Sequence, residues 1–380
     1  MMQVIHSRFN ALLSASVLSL VATVAWSQSL TWLGTLGGNW SKAHGVSADG
    51  SVVVGVARNS AGQYLAFRWT VDGGMQGLGT LGGDASEAHG VSADGAVVVG
   101  KARNTAGRWR AFRWTVDGGM QDLGTLGGNA SEAYGVSAYG AVVVGWSYNA
   151  AGQERAFRWT VNGGMQDLGT LPGGNRSGAL GVSADGSVVV GWSDNAAGQG
   201  RAFRWRNGVM QDLGTLDGNG SIAYGVSADG SVVVGEARDA AEGLRAFRWR
   251  NGVMQDLGSL GGPKNIAKGV SADGAVVVGW AYNAARQQRA FRWTASRGME
   301  DLNTTYASLL TDGSELLEAY AISPDGRYIV GRGYNAATRR EEAFLLDTRC
   351  TLNGDVNGDG KVDDADLLIV LFNFGSQCGQ

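Results

Sequence analysis

The chain has 380 residues, 44% of them hydrophobic and 17% charged, with a net charge of −3. Its basic residues are spread evenly, which excludes a basic stripe for nucleic acid and a polybasic patch for a membrane surface. Sixty-two glycines against three prolines, with recurring Val-Val-Val runs, predict short strands and tight turns rather than helices.

At the N-terminus, His6 and Arg8 precede the apolar stretch "ALLSASVLSLVATVAW". Ala25-Trp26-Ser27 then places small residues at positions −3 and −1 of a cut before Gln28. Residues 1–27 therefore read as a secretory signal peptide. No later stretch is long and apolar enough to span a bilayer, so the mature chain is expected to be secreted, without a membrane span and as a monomer.

From Ser29 to Asp347 the chain repeats itself. "GVSADGSVVVG" at Gly45 returns with small changes at Gly90, Gly135, Gly181, Gly225 and Gly269, and more loosely at Ala321. The leucines of "LGTL" and its variants fall at 33, 78, 123, 168, 213, 257 and 302, a step of 44 or 45. Such a period means a stacked array or a propeller. Each copy holds four strand-like segments, in the second copy "EAHGVSA", "AVVVGKA", "RAFRWT" and "MQDLGTL". Asp94-Gly95 and Asp117-Gly118 suit two-residue hairpin turns, because glycine accepts positive φ and aspartate tolerates it. Four strands joined as a meander describe one propeller blade.

Seven sets of the first three strands are present, but "MQDLGTL"-type fourth strands follow only six. The missing one stands in front, as "SLTWLGTL". The predicted fold is all-β: a seven-bladed β-propeller over residues 28–347, whose N-terminal strand closes the last blade and hides its edges. A two-residue Asp-Gly turn would set Arg113 opposite Asp122; the third strand carries Arg again at Arg158, Arg204, Arg248 and Arg292, and the fourth carries Asp at Asp167, Asp212, Asp256 and Asp301. Leu345 and Trp32 replace that pair at the closure, and Arg68 faces Gly77. An interior arginine needs a partner, so these read as structural ion pairs. Phe and Trp of "AFRW" point the other way and are expected to pack on the next blade.

The phrase "GVSADGSVVVG…AFRWT" resembles the HAF family of bacterial extracellular repeat proteins, over residues 29 to about 347. The histidine that names the family is replaced by Leu65, Arg110, Arg155, Arg201, Arg245, Arg289 and Glu342. The resemblance implies repeat architecture and an extracellular or cell-surface location in a bacterium; it carries no chemistry.

Residues 355–366, "DVNGDGKVDDAD", set Asp355, Asn357, Asp359, Asp363 and Asp366 at loop positions 1, 3, 5, 9 and 12 of an EF-hand, with the turning Gly360 at 6 and the Lys361 carbonyl at 7. Hard oxygen ligands at this spacing suit calcium. With "ADLLIVLFNFG" the segment is similar to one half of a type I dockerin, which implies a cohesin-like or cell-surface anchor as partner; a complete dockerin has two such halves. The chain's two cysteines, Cys350 and Cys378, bracket this element, and an even count in an exported chain predicts a disulfide. Metal and disulfide together would staple a tail module, 348–380, too small to build much core.

No catalytic constellation stands out. His44 and His89 occupy equivalent repeat positions where other copies have Tyr, Leu or Lys, which reads as packing or rim. "LGGN" lacks a following Lys and opens no helix, so it is not a phosphate loop. The copies vary in two loop sets, fourth strand to next copy and second to third strand, both placed on one face. That face, with the insertion Thr304–Glu318, is the expected place for a glycan or protein ligand. The expected function is a secreted binding or surface-assembly protein with an attachment tail. The rival classes are a polysaccharide-active enzyme or its carbohydrate-binding accessory, and a purely structural repeat protein.

Overall fold

In the second copy, strands Gly82–Val91, Val97–Asn104, Trp109–Thr115 and Gly119–Asp122 pair in sequence order, all antiparallel. Copies three to six build four-stranded sheets of the same order. Copies one and seven share an eight-stranded sheet, linked through one parallel pairing of Trp40 with Glu341. Within it, Ser29–Trp32 pairs antiparallel with Arg340–Asp347, Ser29 opposite Asp347 and Trp32 opposite Phe344. The computed structural model describes residues 28–241 and 243–349, of which Ser29–Thr348 forms one unit. The predicted signal peptide and the tail from residue 350 on lie outside the described residues.

The central valines explain why the second strand is a strand. Val98 and Val99 are fully buried, a continuous apolar run of the kind that needs cover on both faces. Gly100 ends the run opposite Phe112. A Cβ there would sit 2.0 Å from the Glu87 carbonyl oxygen, so only glycine lets the first strand approach. That close approach accompanies the register shift between Ala88 and Gly90.

Sheets are joined by repeated devices. The phenylalanine of each "AFRW" is fully buried and packs on the preceding sheet, not on the following one as expected: Phe112 against Val54 and Ala66, Phe247 against Val190 and Ala202. A serine from each varied "GGNxS" segment clips sheets together. Ser86 Oγ accepts from Ala66 N–H at 2.9 Å and donates to the Gly79 carbonyl at 2.5 Å. Ser131, Ser177 and Ser221 repeat this, Asn265 replaces them once, and Ser41 accepts from Ala343 N–H, 302 residues away. These segments, expected as loops, are in copies one, two, three and six part of the first strand. A backbone chain runs through the turns as well: Ala48 N–H donates to Ala93 O, Ala93 to Ala138, and so on to Pro324. Proline has no N–H, so no seventh link can be donated from it.

The predicted arginine–aspartate register is wrong by one residue. Asp122 lies opposite Phe112, and Arg113 opposite Gln121. The turn holds three residues, Val116 to Gly118, followed by Gly119 at φ 61°, the three-residue loop that places its αL residue in a bulge. Copies four and five do use two-residue turns, Asn207-Gly208 and Asn251-Gly252, with positive φ at both. A one-residue slip turns every side chain to the other face. Asp122 therefore meets Arg110 at 3.6 Å, and Arg155, Arg201, Arg245 and Arg289 meet their aspartates at 3.0–3.9 Å. Leu65 coincides with Gly77: the first copy has lost both partners together. At the other end Trp32 faces Phe344, and Thr31 faces Leu345. Arg158, Arg204 and Arg248 instead donate to turn carbonyls of the following sheet, at Gly186, Gly230 and Gly274. The first "ADG" turn is longer too: Ser92 N–H bonds Val97 O, and Ser92 Oγ donates to Asp94 at 2.5 Å while accepting from Val97 N–H.

Candidate functional site

The first strands of successive copies touch each other, and the seventh, Glu315–Ile322, touches the first, Gly37–Val46. All seven line a cavity of about 520 Å³. Its wall takes one residue per copy from the same repeat position: His44, His89, Tyr134, Leu180, Tyr224, Lys268 and Tyr320. Two residues earlier in each strand stand Lys42, Glu87, Glu132, Gly178, Ile222, Ile266 and Glu318. The second strands set Lys101, Glu236 and Arg332 beside Glu87, Ile222 and Glu318. Alternation along the strand brings residues two apart to one side. The cavity therefore has a polar, titratable arc over copies seven, one, two and three, and a more apolar one around Leu180 in copy four.

The polar arc is connected. His44 and His89 stand with ring centroids 5.6 Å apart. Tyr320 meets His44 edge-on at 5.4 Å, and Tyr134 stacks on His89 at 4.5 Å. Glu87 Oε1 lies 3.8 Å from His44 Nε2 and 3.5 Å from His89 Nε2. Lys101 Nζ reaches Glu87 Oε2 at 3.6 Å and Glu132 Oε2 at 3.2 Å. Tyr134 donates to Glu132 at 2.8 Å, and Tyr320 to Glu318. Burial, reinforced by these carboxylates, pushes both phenols up, so they remain protonated donors. Burial, then the charge of Lys42, pulls His44 down to about 3, so its imidazole is neutral at pH 7. Burial pushes Glu87 up, but the contact with His89 and the charge of Lys101 outweigh it and keep the carboxyl ionised. Across the cavity, Lys268 Nζ lies 3.3 Å from the centroid of the Tyr224 ring. Burial lowers it to about 8, against the attraction of Glu236.

His44 and His89 do pack on their neighbours, as expected, and the structure adds that both line the cavity. Free exchange between copies marks the one layer facing a cavity rather than a neighbouring sheet. The sequence did hold that signal: six copies read "A-x-G-V" and the seventh "A-x-A-I", and x differs in chemistry while the alanine before it is constant.

The variable-loop face carries a second concavity, of about 510 Å³, lined by Trp40, Arg58, Tyr64, Arg340 and Glu341 among others. Trp40 and Tyr64 meet edge-on at 5.8 Å, and Arg58 lies over Tyr64. The seventh-copy insertion is a packed cover rather than an open loop. Asn303 makes two hydrogen bonds to Leu316, at 2.7 and 2.9 Å, and Leu302 and Tyr306 are buried. Asp355, Asn357, Asp359, Lys361, Asp363, Asp366, Cys350 and Cys378 all lie outside the described residues.

Comparison with solved structures decides the fold class. The β-propeller domain of the Trilobed protease from Pyrococcus furiosus, described as having an open velcro topology, aligns at a TM-score of 0.52 and 9% identity, covering 85% of this chain and 96% of that one. The β-propeller domain of Myceliophteria thermophila Cps50 (Swd1) aligns at 0.50 and 12%, covering 80% and 96%. The chain has a β-propeller fold. At these identities the likeness speaks for the propeller and for no activity. No family model matches the sequence, and no curated protein does. Among the described residues, no helix of this propeller is long and apolar enough to cross a membrane.

Proposed function

We propose that the chain is an exported, seven-bladed β-propeller that binds a small polar molecule in its central cavity. The observation that carries this reading is the varied layer. In a chain that repeats its core residues seven times, the positions lining the cavity differ in charge and hydrogen-bonding type. A cavity of this size, with a few convergent polar groups on an apolar frame, suits a small ligand. Pairing of Ser29–Trp32 with Arg340–Asp347 supports a ring closed by its own N-terminal strand. The serine clip from Ala343 to Ser41 supports the same closure.

The tail is read as a calcium loop, with Asp355, Asn357, Asp359, Asp363 and Asp366 as side-chain ligands, Lys361 as carbonyl ligand, and Cys350–Cys378 as staple. In that reading it attaches the propeller to a cohesin-like or cell-surface anchor. Calcium should bind the full chain and be lost in Asp355→Ala or Asp366→Ala; an unchanged calcium titration in either variant rejects the loop.

The cavity reading is tested by a thermal-shift screen of polar metabolites and oligosaccharides on the mature protein. A true cavity ligand loses its effect in Lys268→Met and keeps it in Tyr64→Ala. The reverse pattern places the ligand on the variable-loop face instead.

A further inference from the structure

His44, Glu87 and His89 turn their polar atoms toward one point of the cavity wall. His44 Nδ1 lies 2.8 Å from the Ala88 carbonyl oxygen, and His89 Nδ1 lies 2.9 Å from that of Ala133. A carbonyl oxygen can only accept, so each Nδ1 carries the hydrogen. In the neutral ring this leaves the lone pair on Nε2, and both Nε2 atoms turn toward the same carboxylate oxygen, Glu87 Oε1. The ligand atoms of the three side chains lie within 4.8 Å of one another. Three ligand-type atoms thus converge on one point of the cavity wall, and Lys101 sits on the other oxygen, Oε2.

We propose that His44, Glu87 and His89 form a binding site for a divalent transition ion of the zinc class, on the wall of the central cavity. Two imidazoles and one carboxylate are a ligand set that zinc accepts, with a fourth position left open. Calcium, which takes six to eight oxygens, does not fit it. Bonds of about 2.0–2.1 Å in a tetrahedron put ligand atoms about 3.4 Å apart. The separations of 3.5 and 3.8 Å are close to this. The three ligand atoms lie within 4.8 Å of one another and would draw together on the ion. The surrounding groups are those that hold metal ligands in place: backbone carbonyls fix both tautomers, Lys101 holds the carboxylate, and the stacked Tyr134 sets the plane of His89. Lys101 also has Glu132 at 3.2 Å, so the ion meets a lysine already neutralised. The open position would face the cavity and take an anionic or nitrogen donor. That last role rests on the cavity being the ligand site; the metal site itself does not.

The test uses the full chain, stripped with a chelator and dialysed into excess calcium to occupy the tail. Zinc is titrated by calorimetry, and cobalt(II) is followed by its visible absorption. One zinc per chain is expected, with the intense visible bands of four-coordinate cobalt. His89→Tyr and His44→Tyr should each weaken zinc at least tenfold and remove the bands. These variants install the residue that Tyr134, Tyr224 and Tyr320 supply at the same position, so folding should survive; Glu87→Gln is a second, near-isosteric route. Circular dichroism of the metal-free variants checks that they remain folded. Zinc heat equal in the wild type and in His44→Tyr/His89→Tyr would mean an adventitious ion only and overturn the proposal. Zinc bound without any cavity ligand would leave this site standing and remove the small-molecule reading; a cavity ligand found without zinc binding does the opposite.

Discussion

The seams between sheets and the layer around the cavity differ in how they treat repetition. At the seam, Phe67, Phe112, Phe157, Phe203, Phe247, Phe291 and Phe344 are one residue type, every one fully buried. Around the cavity, the corresponding seven positions use four types, His, Tyr, Leu and Lys. Each seam presents the same pocket, bounded by the valines and alanine of the preceding sheet, so one side chain fits all of them. The cavity wall has no such template, because its residues face open space and one another. Repetition marks what every sheet must do to stack; departure from it marks what the assembly does once.

That contrast can be broken first where copies one and seven meet. Removing Ser29–Leu36 takes away the strand paired with Arg340–Asp347, the Trp32–Phe344 contact and the buried Leu33. It is expected to lower the denaturation midpoint more than any point change; an unchanged midpoint would mean the sheets stack without the closing strand. Next comes the seam itself. Phe157→Ala should cost about 3–5 kcal/mol, the range for emptying a well-packed aromatic site. Leu180→Ala, at the cavity wall and partly exposed, should cost clearly less in the same urea titration. Equal losses would erase the distinction between seam and layer. Smaller again is the clip: Ser131→Ala leaves the buried Ala111 N–H without its acceptor, at about 1–3 kcal/mol. A loss below about 0.5 kcal/mol would show that the clip is dispensable.

The seam was legible in the sequence and the layer was not, for a physical reason. Strand count, sheet order and the fourth strand at the front could be read because period and turn chemistry are local and repeated. The pairing of Arg113 with Asp122 failed because an Asp-Gly pair does not say whether two or three residues form the turn; in copies one and two it is three, and one residue inverts the face. The chain held a better clue, since Leu65 and Gly77 depart together from the Arg and Asp of the other copies. His44 and His89 read as packing or rim in the sequence because exchange between copies resembles neutral drift along a line of letters. Only the ring of first strands brings residues 44, 89 and 134 side by side.

The smallest expected effect tests the repeated turns, which belong with the seam. In the fourth and fifth copies, Ser183 and Ser227 donate to Asp185 and Asp229 at 2.6 and 2.7 Å, and backbone N–H groups add to this. Those hydrogen bonds favour the ionised form and hold both carboxyls down at about 2. A carboxyl lowered on folding stabilises above its unfolded pKa, and that contribution fades as pH falls through the folded one. The window is therefore from about pH 4 down to about pH 2. Both groups are largely solvent-exposed, so the increment should be small and reduced by salt. Asp185→Asn/Asp229→Asn keeps an oxygen acceptor for each serine and removes the titration. Its thermal midpoint should fall less steeply than that of the wild type between pH 4 and pH 2, and the two curves should run parallel above pH 5. Parallel curves throughout would mean that the turn carboxylates are no better solvated by their serines than by water.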